Sequence, residues 1–126
     1  MTKVVFFRHN DVFYGFRETG HTGYGDEGYD ILCASISSMT MFMINAINSV
    51  YEGELDYTID EEATEIMVQS CSALPEFESD EKKQHAISGL FMSYFLQIRD
   101  LAEDYYKFIE FDVIDKEYEK PSDSDQ

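Results

Sequence analysis

Apolar and polar residues along this chain repeat with two periods, and the switches between them divide it into elements. Residues 4–7 (Val-Val-Phe-Phe), a polar turn at 8–11 and the run 12–16 (Val-Phe-Tyr-Gly-Phe) predict a strand, a turn and a strand. Residues 20–28 carry four glycines, Gly20, Gly23, Gly25 and Gly28, which predicts a loop able to adopt positive φ and to move. From residue 30 to about residue 52 the period becomes helical. Leu32, Ile36, Met39, Met43, Ala46 and Val50 recur at spacings of three and four, a stripe that core packing explains without a cofactor. Asp30 is placed to cap that helix. Met41, Phe42 and Ile44 lie off the stripe and predict a second buried surface, against another helix or another subunit.

Residues 55–59 and 64–70 predict a second hairpin around the acidic turn Asp60-Glu61-Glu62. Pro75 closes that unit. Asp80 is the expected cap of a second helix whose stripe is Ile87, Leu90, Phe91, Tyr94, Phe95, Ile98, Leu101 and Ala102, with Gly89 allowing close packing. Residues 106–113 read as a last strand. This order predicts an α/β two-layer sandwich, with two helices packed on one face of a mixed, largely antiparallel sheet. Residues 1–113 form one domain in this reading, and residues 114–126 form an acidic, mobile C-terminal tail. Strand order is not legible from pattern alone.

At 126 residues the chain is long enough for one core, and its 44% apolar and 15% aromatic content is globular despite a formal charge of -17. The acid is concentrated. Residues 51–62 hold six acids and no base, residues 76–81 hold four acids, and the stretch from Asp112 holds six acids against two lysines. Such a field excludes nucleic acid as an expected partner, since phosphate binding needs clustered Lys and Arg. It would steer a basic protein or peptide, or serve solubility alone. Two cysteines make no disulfide framework and no secretory signal is legible, so a reducing cytoplasm is the expected compartment. Residues 31–51 are uncharged, but their serines, Thr40 and asparagines point to a soluble helix buried on several sides rather than a membrane span.

Charge says little about chemistry; the segment from His21 to Cys33 says more. Cys33 follows His21 by twelve positions and would be the third helical residue, where free backbone N–H groups and the positive helix end favour a thiolate. Nucleophilic thiol catalysis needs a thiolate, a base that later serves as acid, and donors for the developing oxyanion. Cys33, His21 and first-turn amides are the candidates, with no metal and no cofactor. The glycines between His21 and Cys33 let the imidazole reach the thiol or swing away, so substrate-assisted closure is expected. Asp30 either orients His21 or simply caps the helix. Cys71, in a predicted strand, reads as packing, and His9 and His85 carry no signal. The paired spacings of a zinc site and the Lys-Ser/Thr of a P-loop are missing from the sequence.

The string Gly20-His21-Thr22-Gly23-Tyr24, with Gly28-Tyr29-Asp30-Ile31-Leu32-Cys33-Ala34 and Ser37, resembles the signature of the Prp family, the ribosomal-processing cysteine proteases. Thr22 departs from the alanine common there. The resemblance implies a cysteine endopeptidase that removes a short N-terminal extension from a large-subunit ribosomal protein, number twenty-seven. It matches His21 and Cys33 to the catalytic pair and Asp30 and Ser37 to further motif positions. Ser37 would support the nucleophile or the substrate backbone. The resemblance also implies a homodimer, and it gives the acidic charge a basic ribosomal protein to attract. Gly20, Gly23, Tyr24 and Gly28 would belong to the loop that meets substrate. The rival readings are a noncatalytic, ribosome-associated peptide-binding adaptor in which Cys33 is packing, and another thiol acyl-transfer activity.

Overall fold

The computed structural model describes residues 1–20 and 27–121, the second segment as backbone alone up to residue 30. Strands β1 (Thr2–His9) and β2 (Val12–Thr19) form the first hairpin, longer than the apolar runs that predicted it. The two loop residues Asn10 and Asp11 both have positive φ, 49° and 65°, the geometry that matches a two-residue turn to the right-handed twist of its strands. Between Phe7 and Arg8 the register slips, because Phe7 pairs with Gly15 and Arg8 with Phe13. Tyr14 is the extra residue of this bulge. Strict alternation would put Phe13 and Phe16 on opposite faces; the bulge instead lets both reach Phe6, with ring centroids 6.0 and 6.2 Å away.

Strands β3 (Asp56–Asp60) and β4 (Glu65–Gln69) form the second hairpin, and β5 (Ile109–Asp115) is the last strand. Among the described residues the sheet has five strands in the order β3-β4-β2-β1-β5, antiparallel except for the β1–β5 pair. This is the mixed, largely antiparallel sheet expected. β5 begins three residues later than predicted because the backbone there is spent on stopping the preceding helix. The Tyr105 N–H donates to the Leu101 carbonyl at 2.7 Å and the Phe108 N–H to the Tyr105 carbonyl at 2.8 Å.

Helix α1 (Glu27–Asn45) runs on into a π-helical turn, Ala46–Val50, two residues short of the expected end. Helix α2 (Glu81–Asp104) starts where predicted, with the Asp80 carboxylate accepting from the N–H groups of Lys82 and Lys83 at 3.0 and 3.2 Å. Ile87, Phe91, Tyr94 and Ile98 form its buried stripe, each fully buried apolar side chain contributing about 1.5–3 kcal/mol. Gly89 has open space where its Cβ would be, so the close packing expected there does not occur. Both helices lie on one face of the sheet, since the Glu18 side chain on β2 meets Thr40 of α1 and Tyr94 of α2 at once.

The α1 stripe follows the one predicted except at its end: Leu32, Ile36, Met43 and Ala46 are buried and Met39 packs against the core, while Val50 is 68% exposed. Cys33, Thr40, Ile44 and Ile47 are buried as well. Val50 leaves the stripe where the π turn widens the helix. Of the three off-stripe residues, Ile44 joins the core, whereas Met41 and Phe42 are exposed. Ile31–Val50 is long and apolar enough to cross a membrane by length and composition. In the fold one side of it is built into the core, and the burial on several sides expected from sequence is not found.

The expected tail boundary at residue 114 falls inside β5, and residues 116–121 lie back across the sheet face opposite the helices. The Tyr14 hydroxyl donates to the Lys116 carbonyl and Gln69 Nε2 to the Glu119 carbonyl, both at 3.0 Å. The Tyr118 hydroxyl donates to Asp56 at 2.5 Å, and its ring meets those of Tyr14 and Phe77. Two aromatic contacts and these hydrogen bonds are what the acid-rich composition of this segment concealed.

Candidate active site

Helix α1 carries the candidate nucleophile. Cys33 is the seventh residue of the helix rather than the third, because the helix begins at Glu27. Asp30 is accordingly inside the helix and does not cap it, and Gly28 is helical rather than part of a loop. The first-turn amides thus belong to residues upstream of Cys33, a correction to the oxyanion arrangement expected from sequence. Cys33 faces the sheet with only 4% of its surface exposed, buried where the thiolate argument expects access. Ser37, one turn on, is half-buried.

His21, Gly23 and Tyr24 lie outside the described residues, as do the expected His21–Cys33 contact and loop closure. Gly20 precedes that segment. Its φ is +76°, and a Cβ there would stand 2.3 Å from the Met1 carbonyl oxygen, so both conformation and space require glycine where the chain leaves β2.

Beside this exit lies a buried polar cluster that the sequence reading missed. Glu18 is fully buried on β2. Its Oε1 accepts from the Thr40 hydroxyl at 2.6 Å and from the Tyr94 hydroxyl, while Oε2 has no partner among the described residues. Thr40 Oγ1 also lies 2.9 Å from the Ile36 carbonyl and 3.3 Å from the Tyr94 hydroxyl. Burial pushes the Glu18 carboxyl above its ordinary range, against the two hydrogen bonds. Burial, and then the charge of Glu18, push the Tyr94 phenol well up. One signal for the cluster was present: Glu18 has the strand parity of Phe16, so once β2 extends past Phe16 it must face the helices.

The second cysteine differs. β4 ends at Gln69, so Cys71 opens a 3₁₀ turn, Cys71–Ala73, rather than lying in a strand. Burial and the nearby Glu54 push its thiol up, which suppresses the thiolate and fits the packing role expected of it. His9 sits at the first hairpin turn and His85 is exposed on α2. Among the described residues no three His, Cys, Asp or Glu side chains gather as metal ligands. A groove of about 980 Å³ lies on the opposite sheet face between the β3–β4 turn and residues 116–121. Neither Cys33 nor Glu18 lines it, so its size does not make it the reaction site.

A sequence comparison with curated proteins finds no match. Among solved structures, SMU.848 from Streptococcus mutans is 28% identical, with a TM-score of 0.76 over 92% of this chain and 99% of that one. The ribosomal processing protease Prp from S. aureus, crystallised in complex with a substrate peptide, is 16% identical, with a TM-score of 0.73 over 90% of this chain and 100% of that one. The same protease with a covalently linked product peptide is 17% identical, with a TM-score of 0.71 over the same shares. At such identities the S. aureus structures establish a shared fold. The model of the cysteine protease Prp family matches residues 1–110, which include every candidate site residue, and the chain therefore belongs to that family.

Proposed function

We propose that this protein is a cysteine endopeptidase that removes a short N-terminal extension from a large-subunit ribosomal protein, number twenty-seven, using Cys33 and His21. The observation that carries the reading is the family match over residues 1–110, a span that contains both residues at the motif spacing. The S. aureus relatives, described as an essential ribosomal processing protease with substrate and product peptides, support the substrate class. In the reaction, His21 takes the Cys33 proton and the thiolate attacks the scissile carbonyl. His21 then gives the proton to the departing amine. Water, deprotonated by the same imidazole, hydrolyses the acyl-thioester, releasing the new carboxylate and restoring the thiol. Asp30 and Ser37 support the pair, and Gly20, Gly23, Tyr24 and Gly28 belong to the segment that meets substrate.

A net charge of -17 suits attraction of a basic ribosomal protein in the cytoplasm. A homodimer fits the helical layer, where Ile31, Met41 and Phe42 of α1 and Met92 and Leu96 of α2 are exposed. Sedimentation equilibrium at micromolar concentration should give twice the chain mass; one chain mass would remove the dimer from the reading.

The test is to incubate the protein and its Cys33→Ala form with the extended ribosomal protein and read the new N-terminus by mass spectrometry. One cut, lost in Cys33→Ala, supports the protease. The burial of Cys33 favours a second reading, a noncatalytic ribosome-associated peptide-binding adaptor. An uncut substrate, with Cys33 resisting alkylation until the protein unfolds, would select it.

A further inference from the structure

Glu18 is the one fully buried charged residue among those described. A carboxylate withdrawn from water costs several kcal/mol unless its neighbours compensate. Here they do so only in part, because Oε2 is left without a partner among the described residues. The arrangement nonetheless joins three elements at one atom: Oε1 of β2 accepts from Thr40 of α1 and Tyr94 of α2. Thr40 follows Cys33 by seven residues, which is nearly two full turns, so the two side chains share one side of α1 about 10 Å apart along its axis. Both are buried on the sheet-facing stripe, with Ile36 between them.

Dispersion contacts hold that stripe against the sheet without direction, and they tolerate small slides and rolls of the helix. A hydrogen bond of 2.6 Å to a fixed strand does not, because its energy depends on distance and angle. The strand on the other end of the bond is the one that leads, two residues later, to Gly20 and its close approach to Met1. We propose that Glu18, acting through Thr40, is a positioning residue for Cys33: it fixes the height and rotation at which α1 holds the thiol against the sheet. Tyr94 holds Glu18 in place from α2, stacked on Phe16 with ring centroids 4.4 Å apart. Tyr94 is also the only titratable side chain that contacts Glu18 among the described residues. The inference rests on the reading of Cys33 as the nucleophile.

The experiment compares Thr40→Val, Thr40→Ser, Glu18→Gln and Tyr94→Phe with wild type. It measures kcat and KM on the extended ribosomal protein per folded molecule, the folded fraction being read by circular dichroism, and the ratio of Cys33 to Cys71 alkylation by iodoacetamide, resolved by peptide mass spectrometry. Thr40→Val should lower kcat about 10- to 100-fold, the scale of an ångström-sized misplacement, with KM unchanged. It should also change the alkylation ratio several-fold. Thr40→Ser restores the hydroxyl and Glu18→Gln keeps an acceptor, so both should stay near wild type in each readout. Dividing by the folded fraction removes unfolded protein from kcat, so a merely structural role would leave it constant. A folded Thr40→Val protein with wild-type kcat and alkylation ratio overturns the proposal. Should that variant not fold, Tyr94→Phe decides by its alkylation ratio: a shift supports the proposal and an unchanged ratio overturns it. If wild type cuts nothing while the ratio still responds to Thr40→Val, the processing reading fails and the positioning role stands.

Discussion

The two faces of the sheet each hold a tyrosine bonded to a carboxylate, and the pairs behave differently because their surroundings differ. On the helical face, Tyr94 donates to Glu18 in a site closed by α1, α2 and the aromatic layer of Phe6, Phe16 and Phe91. On the opposite face, Tyr118 donates to Asp56 of the edge strand at 2.5 Å, with both residues half-buried. Burial raises both phenols. The inner pair also raises its acid, because desolvation there outweighs the hydrogen bonds. The inner pair ties together layers that the aromatic core already supports, and the outer pair ties a terminal segment to a sheet. The same chemistry thus makes a rigid junction in one place and a strap in the other.

The comparison is broken most severely from the inner side. Phe6 is fully buried and its ring meets those of Phe13, Phe16, Tyr94 and Phe95. Phe6→Ala should cost about 3–5 kcal/mol, the loss typical of a large buried ring, measured by urea unfolding at neutral pH. A cost below about 1 kcal/mol would mean that the helical layer collapses onto the gap and is not the rigid half of the molecule.

The next effect is at the inner tyrosine. Tyr94→Phe keeps the ring and removes the donor, leaving Glu18 buried with Thr40 alone. The expected loss is about 1–3 kcal/mol, the cost of an unsatisfied buried polar group. Glu18→Gln sharpens the point through pH. The folded-state carboxyl titrates above its ordinary value of about 4.3, so the folded protein holds a proton that the unfolded chain has released. That interaction is fully present below the ordinary value and is lost as pH rises through the folded one. Wild type should therefore weaken relative to Glu18→Gln across that interval, with the difference constant above it. Melting curves from pH 4 upward read this directly, and parallel curves would remove the raised carboxyl from the account. Asp115 has the opposite sign. Arg8 beside it lowers its carboxyl, so that contribution is lost as pH falls.

What the sequence disclosed follows the same division. Both hairpins, both helices, the Asp80 cap and the sheet's mixed character were legible, because each depends on local period or on one capping residue. Strand order was not, since no local pattern records that β5 pairs with β1. The helix start was misplaced by four residues because Asp30 is a good cap in isolation, and local propensity does not report how far the glycine-rich segment is drawn into the helix. Cys33 was singled out by spacing and Cys71 set aside. Glu18 went unnoticed because the apolar run that predicts β2 ends at Phe16, two residues before it, whereas the strand runs to Thr19. Residues 116–121 looked like solvated tail because their acids dominate the composition, while the contacts that dock them come from one tyrosine and from backbone carbonyls.

The smallest effect lies at the strap. Tyr118→Phe removes the bond to Asp56 but keeps the ring against Tyr14 and Phe77. Both partners remain accessible to water, which replaces the lost bond, so the stability change should stay under about 1 kcal/mol. The informative readout is local. Cys71 lies beside Tyr118, whose hydroxyl interacts with its thiol, and Glu54 and burial hold that thiol up. Loosening the strap admits solvent and reagent to Cys71 on one face while leaving Cys33 behind the helices on the other. Alkylation of Cys71 should therefore rise in Tyr118→Phe with the Cys33 rate unchanged. If both rates rise together, the two faces are coupled, and the junction at Glu18 does not isolate the helical layer from the strap.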